Sequence, residues 1–339
     1  MRIIFLGSGD FGVPTLQRLH ERHEVVAVVS RPDRPAGRKR TPTATPVASW
    51  AQAIGIGVWK DPDVNDAAFV TRTSHLAADA AVVVAFGQKL GPALLESLGR
   101  LSMNLHASLL PKYRGAAPIN WAMIRGEAQT GLSVISLASR MDAGDVYAQS
   151  RAEIDPASTA GQLHDRLAQM GPDLVEKVLA DFQAGTLRGR PQDESQITLA
   201  PKLSKSDGCV DFGAPAREVR CRIHGLTPWP AARVIWKRQA DGSGHPLTIL
   251  RVREDDTTDH GSMPGTVLEG HRVAVAGGTI RLLDVQVPGK KAMKIEEFAH
   301  GQRLAPGDRL IGDRHEGAGS GTKAHRHEGT KGGSSQASA

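Results

Sequence analysis

Between residues 3 and 154, short runs of β-branched and apolar residues alternate with stretches of helical period, and this alternation restricts the fold more than any other feature. Ile3 to Leu6, Glu24 to Ser30 (EVVAVVS), Ala80 to Phe86 (AAVVVAF) and Met103 to His106 read as strands, with a helix over Gly12 to Leu19 after the first. Near-continuous apolar strands belong to parallel sheets covered on both faces, and strands that alternate with helices build βαβ units. An α/β domain with a mostly parallel sheet is therefore expected. Gly131 to Leu137 and Val146 to Ile154 read as a later antiparallel pair. Thr159 to Phe182 follows Pro156 and carries Leu163, Leu167, Met170, Leu174, Val178 and Leu179 mostly three and four apart, which predicts a long amphipathic helix.

The chain has 339 residues, more than the roughly 250 to 300 at which a single core stops growing, so a second domain is expected. Gly185 to Lys205 is poor in periodic apolar residues and contains Gly189, Pro191 and Pro201, the composition of a linker draped over a surface. The first domain is thus placed at 1–187, the linker at 188–204 and the second domain at 205–311. Within the latter, Ala232 to Trp236, Leu247 to Val252, Gly265 to Leu268, Arg272 to Ala276 and Thr279 to Gln286 read as short strands between Gly and Asp turns. Such spacing suggests a small barrel. Residues 312–339 show no apolar periodicity and are expected to form a disordered tail.

Composition narrows the function classes. Lys plus Arg total 42 against 36 Asp plus Glu, a net charge of +6 that tolerates a polyanionic partner without requiring one. With 7 Phe, 5 Trp and 2 Tyr, there is little on which a nucleic-acid binder working by base stacking would rely. Cys209 and Cys221 stand without a second pair or a nearby His at zinc spacing, so neither a disulfide framework nor a metal site is expected, and a reducing compartment is. The N-terminal apolar run is too short for a signal peptide, and no stretch is long and apolar enough for a membrane helix. A cytoplasmic protein is expected, with no membrane partner.

Gly7, Gly9 and Gly12 spell GxGxxG after the first strand, the placement of a dinucleotide loop. The second strand ends in Ser30 and Arg31 rather than in the acidic residue that holds a ribose, so the favoured reading is glycines that let a helix and strand pack closely. Residues 31–47 (RPDRPAGRKRTPTATPV) carry Arg31, Arg34, Arg38, Lys39 and Arg40 against Asp33 alone, and their prolines and threonines exclude a helix. Loops at the carboxyl ends of parallel strands line the ligand crevice, so a basic loop here suggests a phosphate-bearing substrate. The densest chemistry lies in NLHASLLPKYRGAAPIN, where Asn104 and His106 share one face of a strand and offer an amide donor and an imidazole to one point. The acidic loop RMDAGD offers a carboxylate, from Asp142 or Asp145, to orient or polarise His106. An amide, an imidazole and a carboxylate without an adjacent Ser or Cys nucleophile fit direct acyl transfer with oxyanion stabilisation.

The segments PDRPAGR, NLHASLLPKYRGAAPIN, MDAGD, APKLSKSDGCVDF, GLTPWPAA and VPGKKAM, in this order and spacing, resemble the methionyl-tRNA formyltransferases over roughly residues 1–311. HxSLLPxxRG is specific to folate-dependent formyltransferases as a group, and the basic loop with PKLSK and GKKAM narrows the resemblance to the tRNA enzymes. It implies a Rossmann-like formyltransferase domain followed by an OB-type β-barrel that binds tRNA, with 10-formyltetrahydrofolate as the donor and initiator methionyl-tRNA as the acceptor; separately, a monomer is expected. By the same similarity, Phe86, Gly87, Gln88, Lys89 and Leu90 line the pterin pocket, and Ser108, Leu109, Leu110 and Pro111 shape the neighbouring wall. Arg34, Arg38, Lys39, Arg40, Lys205, Lys290 and Lys291 are the expected nucleic-acid contacts, and Asn104, His106 and Asp142 the catalytic set. The competing readings are a sugar-nucleotide formyltransferase, a purine-pathway formyltransferase, which lacks a second domain, and a catalytically dead RNA-binding module.

Overall fold

A computed structural model describes residues 1–37, 40–255 and 261–313. Arg38 and Lys39 of the basic loop, and the expected tail beyond Asp313, lie outside the described residues. In chain order the first domain comprises β1 (Arg2–Gly7), α1 (Val13–Arg22), β2 (Glu24–Val29), β3 (Arg34–Ala36), β4 (Thr41–Thr43), α2 (Pro46–Ala53), β5 (Val58–Trp59), α3 (Ala67–Ser74), β6 (Ala80–Val84) and α4 (Pro92–Ser97). It continues with β7 (Leu101–His106), β8 (Arg114–Gly115), α5 (Pro118–Ile124), β9 (Gln129–Ser136), β10 (Val146–Glu153) and α6 (Ala160–Gln183), and β11 (Leu199–Ala200) lies in the segment after it. The second domain holds α7 (Ala216–Leu226), β12 (Ala232–Lys237), β13 (Gly244–Glu254), β14 (Val267–Leu268), β15 (Arg272–Val275), β16 (Gly278–Gln286), β17 (Met293–Lys294), α8 (Ile295–Gln302) and β18 (Arg309–Gly312).

The main sheet runs β10-β9-β7-β6-β1-β2-β5, parallel from β7 to β5 and antiparallel at β7–β9 and β9–β10. Alternation along each strand separates two buried layers. Ile3, Phe5, Val82, Val84, Met103 and Leu105 face α1 and α6, whereas Ile4, Leu6, Ala81 and Val83 face α3 and α4 with Phe69, Leu94 and Leu98. α6 begins at a capping box in which Thr159 and Gln162 satisfy each other's backbone N–H, and it buries Leu163, Leu167, Leu174, Val178 and Leu179 as its period predicts. The GxGxxG glycines are packing glycines: a Cβ on Gly7 would lie 2.5 Å from the Phe5 ring, and one on Gly12 3.3 Å from it and 3.4 Å from Val84. The basic stretch is no helix, as expected, but neither is it an open loop, because β3 and β4 pair across it as a short hairpin.

In the second domain an antiparallel sheet runs β14-β15-β16-β13-β12-β18, with β17 on β16. Its two ends meet. Thr266 bridges Arg309, and backbone hydrogen bonds join Gly265 to Leu310 and Val267 to Gly307 and Asp308, so the sheet closes into the expected small barrel. Two helices, α7 and α8, stand in the stretch whose spacing suggests only strands. The AREVRCRIH segment alternates apolar and charged residues with period two at Val219, Cys221 and Ile223, which mimics a strand, yet its buried Val219, Ile223 and Leu226 also lie four and three apart on one helical face. The barrel also runs one residue past the expected start of the tail, because Gly312 closes β18 opposite Val234.

α7 also joins the domains. Asn120 donates to the Gly225 carbonyl at 2.7 Å, and a Cβ on Gly225 would fall 2.9 Å from the Ile124 nitrogen. His224 is fully buried, with Nδ1 3.1 Å from the Pro156 carbonyl and Nε2 3.1 Å from the Val252 N–H. A carbonyl only accepts and an N–H only donates, so His224 is neutral with its proton on Nδ1. Burial, reinforced by the Arg220 charge, pushes its pKa down from 6.5 to about 4. The unfolded chain binds this proton as pH falls below about 6.5, while the folded chain resists until about 4. The His224 contribution to stability is thus complete above pH 6.5 and declines by about 3 kcal/mol as the pH falls to 4. His224→Gln, which keeps a donor and an acceptor but does not titrate, is expected to show a shallower loss in chemical denaturation between pH 7 and pH 5; equal losses in both proteins would refute the assignment.

Candidate active site

Chain order reverses beside β1, with β2 and β5 on one side and β6 and β7 on the other, and open α/β sheets bind ligands at the carboxyl ends of strands at such a point. β7 delivers Asn104 and His106 there, two residues apart on one face. His106 is buried, and its Nε2 lies 3.0 Å from the Tyr113 carbonyl. Nε2 must therefore carry hydrogen, which turns Nδ1 toward Asp142 Oδ1 at 3.7 Å. The same oxygen lies 3.5 Å from Asn104 Nδ2, and Asp142 Oδ2 accepts the Gly115 N–H at 2.9 Å. The two longer distances exceed a strong hydrogen bond, as catalytic contacts often do before substrate arrives.

Asp142 reaches this position from a left-handed backbone, φ 53°, a region that Asp tolerates better than most residues but that surrounding contacts must hold. Gly144 makes the turn possible, because any Cβ there would meet the Ser136 carbonyl. Asp145 points elsewhere: its N–H donates to Ser136 Oγ at 2.8 Å and its side chain packs against Gly189. The structure thus brings Asn104, His106 and Asp142 together and leaves Asp145 out. Tyr113, also at positive φ, donates its phenol to Glu127 at 2.7 Å, and burial followed by that carboxylate pushes the phenol up to about 12.

The stretch expected to line a pterin pocket leaves β6 in an irregular path, with Ala85 and Gly87 both at positive φ. Phe86 is buried and its carbonyl accepts from Ser8 Oγ at 2.9 Å; Gln88 is tied to Asp61 and Val64, and the Lys89 carbonyl to Asn65. Leu90 packs with Phe69 and Leu94. Arg31 lies over Gly87, and its Nε is buried without a hydrogen-bond partner among the described residues. The Ser108–Pro111 turn is held by its own side chains: Ser108 Oγ donates to the Lys112 carbonyl at 2.6 Å, the Leu109 carbonyl accepts from Lys112, and Leu110 packs on Ile135 and Val146. Of the expected nucleic-acid contacts, Arg34 and Arg40 are exposed on the β3–β4 hairpin, Lys205 is exposed before α7, and Lys290 and Lys291 form the exposed turn between β16 and β17.

Sequence reasoning missed the part played by the interdomain segment. Gln192 Nε2 donates to the carbonyls of Asp142 and Gly144 at 2.8 and 2.7 Å, and its Oε1 accepts from Arg114 Nε and Nη2 at 3.0 and 2.8 Å. Arg114 is buried and also pairs with Glu194 at 2.9 Å, which together with Arg140 holds the Glu194 carboxyl below its usual range. β11 pairs with β8, and Thr198 Oγ1 accepts the Tyr113 N–H. Contacts across 48 to 80 residues between isolated polar side chains leave no periodic trace in a sequence.

The formyl transferase family profile matches residues 1–179, and that of the formyl transferase C-terminal domain matches residues 202–303. A methionyl-tRNA formyltransferase of Heliobacterium modesticaldum is 41% identical over 322 residues, covering 91% of this chain and all of the relative, and one of Acidobacterium capsulatum is 40% identical over 91% and 99%. The chain belongs to the methionyl-tRNA formyltransferase family. Among solved structures, the N-formyltransferase of Helicobacter canadensis in complex with folinic acid and dTDP-3-aminofucose matches with a TM-score of 0.62 at 15% identity, over 83% of this chain and 98% of that one. HypX of Aquifex aeolicus in complex with tetrahydrofolic acid matches with a TM-score of 0.58 at 17% identity, over 88% of this chain, which spans about half of that protein, 47%. These two likenesses concern the fold. Because only Asp142 faces His106, Asp142→Asn is expected to abolish most formyl transfer in a folded protein, and Asp145→Asn to be the milder change; steady-state kinetics with the reverse ranking would overturn the geometry.

Proposed function

We propose that the protein transfers the formyl group of 10-formyltetrahydrofolate to the α-amino group of methionyl initiator tRNA, as a cytosolic monomer. The convergence of Asn104, His106 and Asp142 at the carboxyl end of β7 carries this reading. The folate is assigned to the carboxyl end of the sheet beside residues 86–90: Arg31 Nε, buried beside Gly87 with no hydrogen-bond partner among the described residues, is the kind of gap that a polar heterocycle fills. The Ser108–Pro111 turn forms the wall alongside. Among the described residues no group of His, Cys, Asp and Glu is arranged to hold a metal, and no helix is long and apolar enough to cross a membrane.

In the mechanism the neutral amine adds its lone pair to the formyl carbon, forming the new C–N bond. Negative charge moves to the formyl oxygen, where Asn104 Nδ2 and the protonated His106 Nδ1 donate to it. Such positioned donors act on charge that exists only in the transition state and intermediate. Asp142 balances the imidazolium and takes the amine proton, which passes through water to N10 of the folate as the C–N10 bond breaks. The products are formyl-methionyl-tRNA and tetrahydrofolate.

The assignment of the acceptor rests on family membership and on the basic hairpin at the crevice. Arg34, Arg38, Lys39 and Arg40, with Lys205, Lys290 and Lys291 on the barrel side, are assigned to the tRNA backbone. Removing one positioned donor costs about 10² to 10³ in kcat. Asn104→Ala and His106→Ala are each expected to fall that far with folate binding nearly unchanged. Radiolabelled formyl transfer to charged initiator tRNA tests the reading directly; preference for an amino-sugar nucleotide would replace it with the sugar-nucleotide alternative.

Each Lys or Arg that neutralises a phosphate releases counterions, so tRNA affinity falls with salt in proportion to the contacts made. Replacing Arg38, Lys39 and Arg40 together by Ala is expected to raise KM for tRNA and to reduce the slope of log affinity against log salt by roughly two to three units, while use of the folate is preserved. Superimposable salt series for the two proteins would show that the hairpin is only a solvated face.

A further inference from the structure

We propose that Gln192, in the segment joining the two domains, is a positioning residue for Asp142 and thereby for formyl transfer. The inference rests on the reading that puts Asp142 beside the reacting centre. Its basis is a closed ring of bonds. Gln192 Oε1 accepts both Nε and Nη2 of Arg114; the next peptide N–H, that of Gly115, donates to Asp142 Oδ2; and the Asp142 carbonyl returns to Gln192 Nε2. One side chain thus fixes the backbone of Asp142 and, through Arg114 and Gly115, the neighbour that aims its carboxylate.

The chemistry of the amide is used in full. Both of its N–H groups donate, to the carbonyls of Asp142 and Gly144, and its oxygen receives two donors, so each of the four hydrogen bonds available to a Gln is made. Asp142 needs such support because its left-handed backbone takes its carbonyl out of any strand ladder. Gln192 is itself delivered by backbone pairing on both sides: Arg190 exchanges two hydrogen bonds with Val146 at 2.8 and 3.0 Å, and Thr198 and Ala200 receive the N–H groups of Arg114, Ala116 and Ala117. Residues on either side of Gln192 are thus fastened to the two chain segments that meet at the carboxylate.

The decisive variant is Gln192→Glu, which keeps the shape and the acceptor for Arg114 but replaces both donated hydrogen bonds by repulsion between a carboxylate and two carbonyls. With the full-length protein, kcat for formyl transfer is expected to fall about 10- to 100-fold, the range of a small displacement of a catalytic group, while KM for folate and for tRNA changes by less than about twofold. Amide hydrogen exchange of Gly115, whose N–H is held by Asp142, is expected to accelerate. Gln192→Met removes the two donors together with the acceptor for Arg114, without adding charge, and is expected to show the same pattern, which serves if the Glu variant does not fold. An unchanged kcat with unchanged Gly115 exchange overturns the proposal, as does a rise in KM for tRNA at full kcat, which would make Gln192 a binding element. If formyl transfer itself is the wrong reading, the parent protein is inactive on charged tRNA, and the Gly115 exchange still decides whether Gln192 holds Asp142.

Discussion

One carboxylate ties the structure together. Asp142 touches an amide and an imidazole that share one strand and a backbone N–H from the segment that follows it, and it does so from a backbone conformation that is unfavourable in isolation. Everything that positions it must be in place at once. β7 must end beside β6 and β9 for Asn104 and His106 to face one way; the 107–115 segment must turn back for the Tyr113 carbonyl to fix the His106 tautomer and for Gly115 to present its N–H; and the 137–145 loop must fold tightly enough to need Gly144. The parallel sheet is the frame for this, since its buried strands hold their register against α1 and α6 on one side and α3 and α4 on the other.

Much of that frame is legible in the sequence, for reasons that can be named. Apolar period fixes β2, β6 and α6 because burial on two faces or one leaves a repeating pattern. Asn104 and His106 are legible as a pair because a strand places alternate residues on one side. Asp142 over Asp145 is a different matter: both lie in one turn, and only the left-handed φ of Asp142 and the approach of Gly189 to Asp145 separate them. α7 was hidden by an accidental period of two. Gln192 is hidden more deeply, because its four hydrogen bonds go to two carbonyls and one guanidinium remote in sequence, and a polar segment containing Gly and Pro carries the same composition whether it floats or docks.

The glycine motif shows the same limit from the other side. GxGxxG occupies the position at which a dinucleotide loop would stand, yet the space that Gly7 and Gly12 free is taken by Phe5 and Val84. A motif defined by missing side chains reports close approach without saying what approaches. Here it is an aromatic ring, and the polar chemistry at this end of the sheet passes instead to Ser8, which joins the end of β1 to Phe86 and to Arg31.

How the domains join explains why the segment between them can serve the site. The interface already has its own determinants: Gly225 admits no side chain against α5, Asn120 and Arg217 bond to carbonyls across the joint, and neutral His224 links Pro156 to β13 through both ring nitrogens. A buried imidazole with both nitrogens satisfied is worth most when it stays uncharged, so this joint draws its specificity from fixed geometry rather than from ion pairing. With the domains held in this way, residues 188–204 are not needed as a tether. Their polar groups instead bond Val146, Arg114, Asp142 and Gly144, so that the chain leaves the first domain only after bracing the carboxylate that faces His106.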